Sequence, residues 1–289
     1  METNTYKTNI DGFAQTIGAF DSATETPIYW GNESHPQKLE DYKGIYNMGT
    51  SRVSKVVSKN YQIIQHNDVA QAVVETLGEL NIDVKGTVNN HHDRIKMDMV
   101  FNNQGVPIED GEKGIQVGIR MVNSYDRSSS FRLEMFGYRL VCQNGMSFGK
   151  SMGIREIMFH TGDKKPYDVI KAITEKFIKN VIKSYAKIQE YVNDCMADSI
   201  EWKTAEKILK VLVKRKKHIT GLMNIIKRDV ELVDGKITRW AMYNALTNYI
   251  SHDQTLKPTV VTYLEKSSQA MLYNQFETLQ RQIVEVTPQ

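Results

Sequence analysis

Four cations recur at alternate positions in stretches of two-residue period. Arg94 and Lys96 alternate with Ile95, Met97, Met99 and Phe101, Arg120 stands between Ile119 and Met121, and Arg132 between Phe131 and Leu133. Neighbouring side chains of a strand point to opposite faces, so if Ile95, Ile119 and Leu133 face a core, these cations share the other face. Phe136 and Tyr138 continue that face along the third stretch. Cations hold phosphates and aromatic rings stack on bases, which is what a single-stranded nucleic acid asks of a surface. The same pattern also suits an ordinary solvated sheet face, or one whose aromatics pack beneath helices.

A second cationic feature lies downstream. Residues 164–228 carry 16 Lys and Arg against 7 Asp and Glu, in a chain of 289 residues whose formal net charge is only +3. The densest run, Lys214-Arg215-Lys216-Lys217, reads as part of a helix and is either a phosphate path or a solvated helix face. Residues 1–50 carry the opposite bias, 7 acidic against 3 basic. Polarised charge of this kind attracts polyanions.

Other chemistries find less in the sequence. Neither GxxxxGK[ST] nor GxGxxG occurs, so nucleotide hydrolysis and dinucleotide binding have no motif and no cofactor is expected. His91-His92-Asp93 could offer metal ligands, but adjacent strand residues diverge and an exposed hairpin tip is the simpler reading. No metal site is assigned. Cys142 with His160 could form a nucleophilic pair, although Cys142 follows apolar Leu140-Val141, where a buried thiol is ordinary. Glu109, Asp110 and Glu112 stand in a Gly-flanked loop as solvated charges before they are an acid/base or metal centre. No catalytic residue is nominated.

The elements that position these residues follow from periodicity. Residues 1–50 are polar and turn-rich and predict an N-terminal arm, with Phe13, Phe20, Tyr29 and Trp30 expected on its surface. Residues 51–163 predict an α+β domain. It begins with a strand over Arg52–Ser58 and a helix capped by Asp68 through about Leu80, then continues as antiparallel strands joined by hairpins near Asn102–Gly105 and Ser124–Ser130. Residues 164–289 predict a mostly helical region. Its helices are expected from Val169 through Met196, from Glu201 to Lys217, around Trp240–Ile250 and over Thr259–Gln282, with Trp240, Tyr243 and Tyr249 docking one of them.

Two cysteines without CxxC spacing, no signal-peptide pattern and no long apolar run fit a cytoplasmic protein that does not enter a membrane.

Ser54–Gln65 (SKVVSKNYQIIQ), Arg139–Gly145 (RLVCQNG), Ile157–Gly162 (IMFHTG) and Trp240–His252 (WAMYNALTNYISH) resemble, in order and spacing, a family of phage- and plasmid-borne proteins carrying a domain of unknown function. The likeness covers about residues 45–255 and implies no catalytic residues; Gln143 stands where the family pattern has a small polar residue. The order of helix, hairpins and basic helix is also similar to that of phage single-strand annealing proteins, which assemble as rings or filaments. Together these imply an ATP-independent single-stranded DNA-binding or annealing protein of recombination or replication, not an enzyme, and a homo-oligomer. Two alternatives remain: a regulatory or counter-defence protein that binds a host protein, and a metal-dependent nuclease acting through Glu109, Asp110 and Glu112.

Overall fold

The computed structural model describes residues 4–102, 114–139, 144–147, 154–162, 167–213, 216–229, 236–253 and 255–272. In chain order the elements are β1 (Asn4–Asn9), α1 (Ile10–Ile17), β2 (Ala23–Trp30), β3 (Gln37–Asn47), β4 (Arg52–Ser58), α2 (His66–Glu79), β5 (Val84–Asn90), β6 (Arg94–Phe101), β7 (Ile115–Ser124), β8 (Phe131–Arg139), β9 (Asn144–Ser147) and β10 (Arg155–Met158). There follow α3 (Tyr167–Lys183), α4 (Tyr185–Ala197), β11 (Ser199–Glu201), α5 (Trp202–Leu212), α6 (Lys216–Asp229), β12 (Lys236–Thr238), α7 (Arg239–His252) and α8 (Pro258–Leu272). The class is α+β, with antiparallel sheets followed by a helical C-terminal region.

The chain divides into two compact units. The first comprises residues 1–105, 118–136 and 154–183. Its main sheet has the order β1-β5-β6-β7-β8-β10. The two-residue period does what it should in the middle of this sheet: Ile95, Met97, Met99, Ile119, Met121, Phe131, Leu133 and Met135 are all buried. Register is fixed by Met97↔Met121 and Asp98↔Arg120 across β6 and β7. A methyl group at Gly118 would overlap the Met99 carbonyl oxygen, so only glycine lets β7 lie this close to β6. Helix α1 packs against β1, β5 and α2, and α2 packs against α3. A second sheet, β2-β3-β4, belongs to the same unit.

The N-terminal segment is therefore built into the fold rather than draped as an arm. Asn9 caps α1 by accepting from the Gly12 N–H, and β1 pairs with β5 over Asn4–Asn9. Phe13 and Phe20 are buried, whereas Tyr29 and Trp30 are exposed as expected. Strand β1 has no period to announce it, because its residues, NTYKTN, show no apolar alternation. The boundary expected at residue 163 falls after Lys183, since α3 joins the first unit.

The second unit holds residues 106–117, 137–153 and 184–289. Its core gathers Ile208, Leu209, Val213, Leu222, Ile226, Met242, Leu246, Tyr249 and Leu264 from α5 to α8. Helix α7 is buried on every side, with Trp240, Met242, Tyr243, Leu246 and Tyr249 all inside, as a central helix must be. Thr238 caps it by accepting from the Ala241 N–H at 3.0 Å. A Cβ on Gly221 of α6 would come within 2.9 Å of the Tyr249 ring, and His218 Nδ1 lies 2.8 Å from the Tyr249 hydroxyl. The long helix expected over Val169–Met196 is two helices meeting at Ser184.

Candidate nucleic-acid interface

Arg94, Lys96, Arg120 and Arg132 do share the face of the main sheet opposite Ile95, Ile119 and Leu133, because strand parity puts them there. Their surroundings differ from an open binding face. Arg120 meets the Asp98 carboxylate with both Nε (2.6 Å) and a terminal nitrogen (3.0 Å), and Lys96 lies 3.3 Å from the same carboxylate. Burial opposes charge on Asp98, but Arg120 and Lys96 outweigh it and hold its pKa below the usual carboxylate range. One strand over, Arg132 and Arg155 flank Glu134 at 3.0 and 3.1 Å. Burial lowers the Arg132 pKa against the pull of Glu134.

Five cations thus face two carboxylates. The surplus is positive, but the guanidinium of Arg120 is buried and sits 4.7 Å from the centre of the Phe136 ring. Phe136 is 2% exposed, so its ring packs under Arg120 and is not offered to a base as the alternation suggested. Lys96, Arg94, Arg132 and Arg155 are half-buried. Tyr138 continues β8, and its side chain lies outside the described residues.

The helical cations are more open. Helix α5 turns Ala205, Ile208 and Leu209 inward, which leaves Lys203, Lys207 and Lys210 exposed in one row at spacings of four and three residues. Glu206 is 3.5 Å from Lys210. Lys216 and Lys217, also exposed, open α6. Lys214 and Arg215 lie outside the described residues, as do Glu109, Asp110, Glu112 and Cys142.

The helix expected to run unbroken from Glu201 to Lys217 stops at Leu212. Val213 leaves the helical conformation at φ −108°, ψ 55° and turns its side chain into the core. The Leu212 carbonyl, released from the helix, accepts from the Tyr263 hydroxyl at 2.5 Å and the Ser267 hydroxyl at 3.0 Å, both on α8.

A buried polar cluster in the first unit was not foreseen. Asn123 of β7 donates from Nδ2 to the Ile64 carbonyl (2.8 Å) and to His66 Nδ1 (3.0 Å), while its Oδ1 accepts from His160 Nε2 (3.0 Å). His66 therefore carries its proton on Nε2, whereas His160 lies between two acceptors, Asn123 Oδ1 at its Nε2 and the Gln62 carbonyl 3.2 Å from its Nδ1. Burial drives His66 down to about 3, against the carbonyls of His92 and Asp93, and drives His160 down to about 4, against the carbonyl of Gln62. His66 stacks on Tyr125 at 3.8 Å and His160 on Tyr61 at 5.1 Å. Tyr125 accepts the His66 backbone N–H at 2.9 Å, and the Gln65 amide clamps Ala23 of β2 at both its N–H (3.1 Å) and its carbonyl (2.7 Å).

His91-His92-Asp93 does not converge on one point. His92 pairs with Asp21 at 2.9 Å, and Asp93 accepts from Asn47 at 2.9 Å and from Ser54.

The segments Ser54–Gln65 and Ile157–Gly162 meet at this cluster. Tyr61 bridges Thr161, and the Gln62 N–H donates to the His160 carbonyl at 2.8 Å. The family model for a domain of unknown function, DUF932, matches residues 53–272. The chain belongs to the DUF932 family. No curated protein and no solved structure matches it. The DUF932 region runs from β4 to α8, so it takes in the histidine cluster, the charged sheet face and the lysine row, while β1, α1, β2 and β3 precede it. Among the described residues no helix of this DUF932 protein is long and apolar enough to cross a membrane.

Proposed function

We propose that the protein binds single-stranded DNA without nucleotide hydrolysis, as an annealing or strand-protecting protein of phage or plasmid recombination or replication. The observation that carries this reading is the exposed row Lys203, Lys207 and Lys210, followed by Lys216 and Lys217 at the start of the next helix. Three lysines along α5 follow a phosphate backbone, and the two on the first turn of α6 add to the positive end of that helix dipole. Lys214 and Arg215 belong to the same path by sequence. On the sheet, Lys96, Arg94, Arg132 and Arg155 form a secondary, partly neutralised field, and Arg120 with Phe136 holds it in shape.

The test is salt dependence. Affinity for a single-stranded oligonucleotide falls with log salt at a slope of about −0.7 per neutralised phosphate, so replacing Lys203, Lys207, Lys210, Lys216 and Lys217 by Gln flattens the slope by up to about 3.5. Duplex of the same length, added as competitor, displaces the single strand poorly. An unchanged slope in the five-lysine variant overturns the assignment of these helices to the DNA path, and stronger binding of duplex overturns the strand preference.

A further inference from the structure

The distal part of the β2–β3 hairpin leaves almost every side chain in water between residues 29 and 42. Three are aromatic: Tyr29 is 55% exposed, Trp30 60% and Tyr42 52%. Phe13 and Phe20, from the same N-terminal segment, are buried, so this exposure belongs to the hairpin and not to a loosely packed terminus. The register shifts between Pro27 and Tyr29, and beyond that point Tyr29 pairs with Lys38 and Trp30 with Gln37. Large rings held in solvent on a paired ribbon mark an interaction surface.

Charge selects the occupant. From Ala23 to Asn47 the hairpin carries Glu25, Glu33, Glu40 and Asp41 against Lys38 and Lys43, an excess of two negative charges, with Lys43 on Glu25, Lys38 on Glu40 and Lys59, just past β4, on Asp41. Stacking on a polyanion would bring like charges together at the hairpin tip, which disfavours nucleic acid as the partner of these rings. The complementary chemistry is present on this same chain. The solvent side of α5 shows Lys203, Lys207 and Lys210 beside Val211, an apolar side chain 48% exposed, with Lys216 and Lys217 next in sequence.

We propose that the β2–β3 hairpin of one copy docks on the α5–α6 lysine face of a second copy. Trp30 and Tyr29 cover Val211 and the lysine stems, where ring and ammonium also attract each other, while Glu33 and Glu40 face the lysine heads, Glu40 by exchanging its weak, exposed pair with Lys38. The donor and acceptor surfaces differ, so the contact is head-to-tail and closes as a ring or continues as a filament. A neighbour's hairpin and a DNA strand then compete for the same lysines. The docking itself needs no nucleic acid and stands whether or not the DNA reading does.

Sedimentation velocity of the full chain, without nucleic acid and over a wide range of protein concentration and salt, tests it. The wild type assembles at low salt and dissociates as salt rises. Two charge reversals, Glu33→Lys with Glu40→Lys on the hairpin and Lys203→Glu, Lys207→Glu and Lys210→Glu on the helix, each give monomers, because each sets like charges against like. Mixing the two variants restores assembly, since every hairpin again meets an opposite face; Trp30→Ser alone weakens assembly at every salt concentration. A wild type that stays monomeric at low salt, a reversal that assembles as the wild type does, or a mixture that stays monomeric overturns the proposal. The hairpin reversal keeps the lysine row, so its oligonucleotide binding reports separately on the DNA reading.

Discussion

Asn123 illustrates how one side chain can set the protonation of two others. Its amide gives one nitrogen to His66 and its oxygen to His160, so a leucine of similar size would remove the partners of His66 Nδ1 and His160 Nε2 and the side-chain donor of the Ile64 carbonyl. Each unsatisfied buried group costs about 1–3 kcal/mol, and Asn123→Leu is expected to lower the unfolding free energy by about 3 kcal/mol or more in urea titrations. Acid acts on the same residues. Both histidines have pKa values below the unfolded 6.5, so the unfolded chain binds protons first as pH falls. Their stabilising contribution is complete above pH ~6.5 and is lost as pH drops through the folded values. Urea midpoints are therefore expected to decline between pH 6.5 and about 4, with an uptake of about two protons per molecule on unfolding. Asp98, also depressed, contributes loss only below its unfolded value of about 3.9. A flat stability profile between pH 7 and 5 would contradict the cluster's neutral state.

Elements differ in how plainly the sequence declares them. Trp240→Ala, in a helix with no exposed side, is expected to cost about 3–5 kcal/mol, read as a lower unfolding midpoint. Gly221→Leu is expected to be similarly damaging, since the Tyr249 ring already occupies the space a side chain would need. Helix α7 was legible because aromatics crowd it at helical spacing, and β4, β6, β7 and β8 because apolar and polar residues alternate along them. Strand β1 and the edge-proximal β5 were not, since NTYKTN and VKGTVNN offer little alternation and owe their state to pairing with each other. Helix ends were the weakest point. Asp68 was expected to cap α2, but the helix begins at His66, because Gln65 is drawn into its clamp on Ala23 and Asp68 falls in the first turn. The cationic sheet face was legible in its parity and not in its closure. Parity also puts Asp98 of β6 and Glu134 of β8 on that face, but nothing in the alternation says that they bind Arg120, Lys96, Arg132 and Arg155 and so neutralise it in part. Asn123, His66 and His160 are 37 to 94 residues apart in pairs, and no local pattern announces that they meet.

At the scale of the whole molecule, each compact unit has its own core, and the two histidines that burial holds neutral, with the asparagine between them, belong to a different unit from the tryptophans that report. His66, Asn123 and His160 lie in the first unit, while Trp202 and Trp240 lie in the second, and the remaining tryptophan, Trp30, is already in water. Tryptophan emission on unfolding therefore follows the second unit, whereas circular dichroism follows both. Lowering the pH from 7 to 5 is expected to move the dichroism transition to lower urea and to leave the fluorescence transition nearly in place. Trp202→Phe keeps Trp240 as the reporter for the converse case, in which Gly221→Leu moves the fluorescence transition and spares the acid-sensitive part of the dichroism curve. Coincident shifts of both signals in both experiments would show that the two cores unfold as one cooperative unit, with the histidine cluster supporting the helical region as strongly as its own sheet.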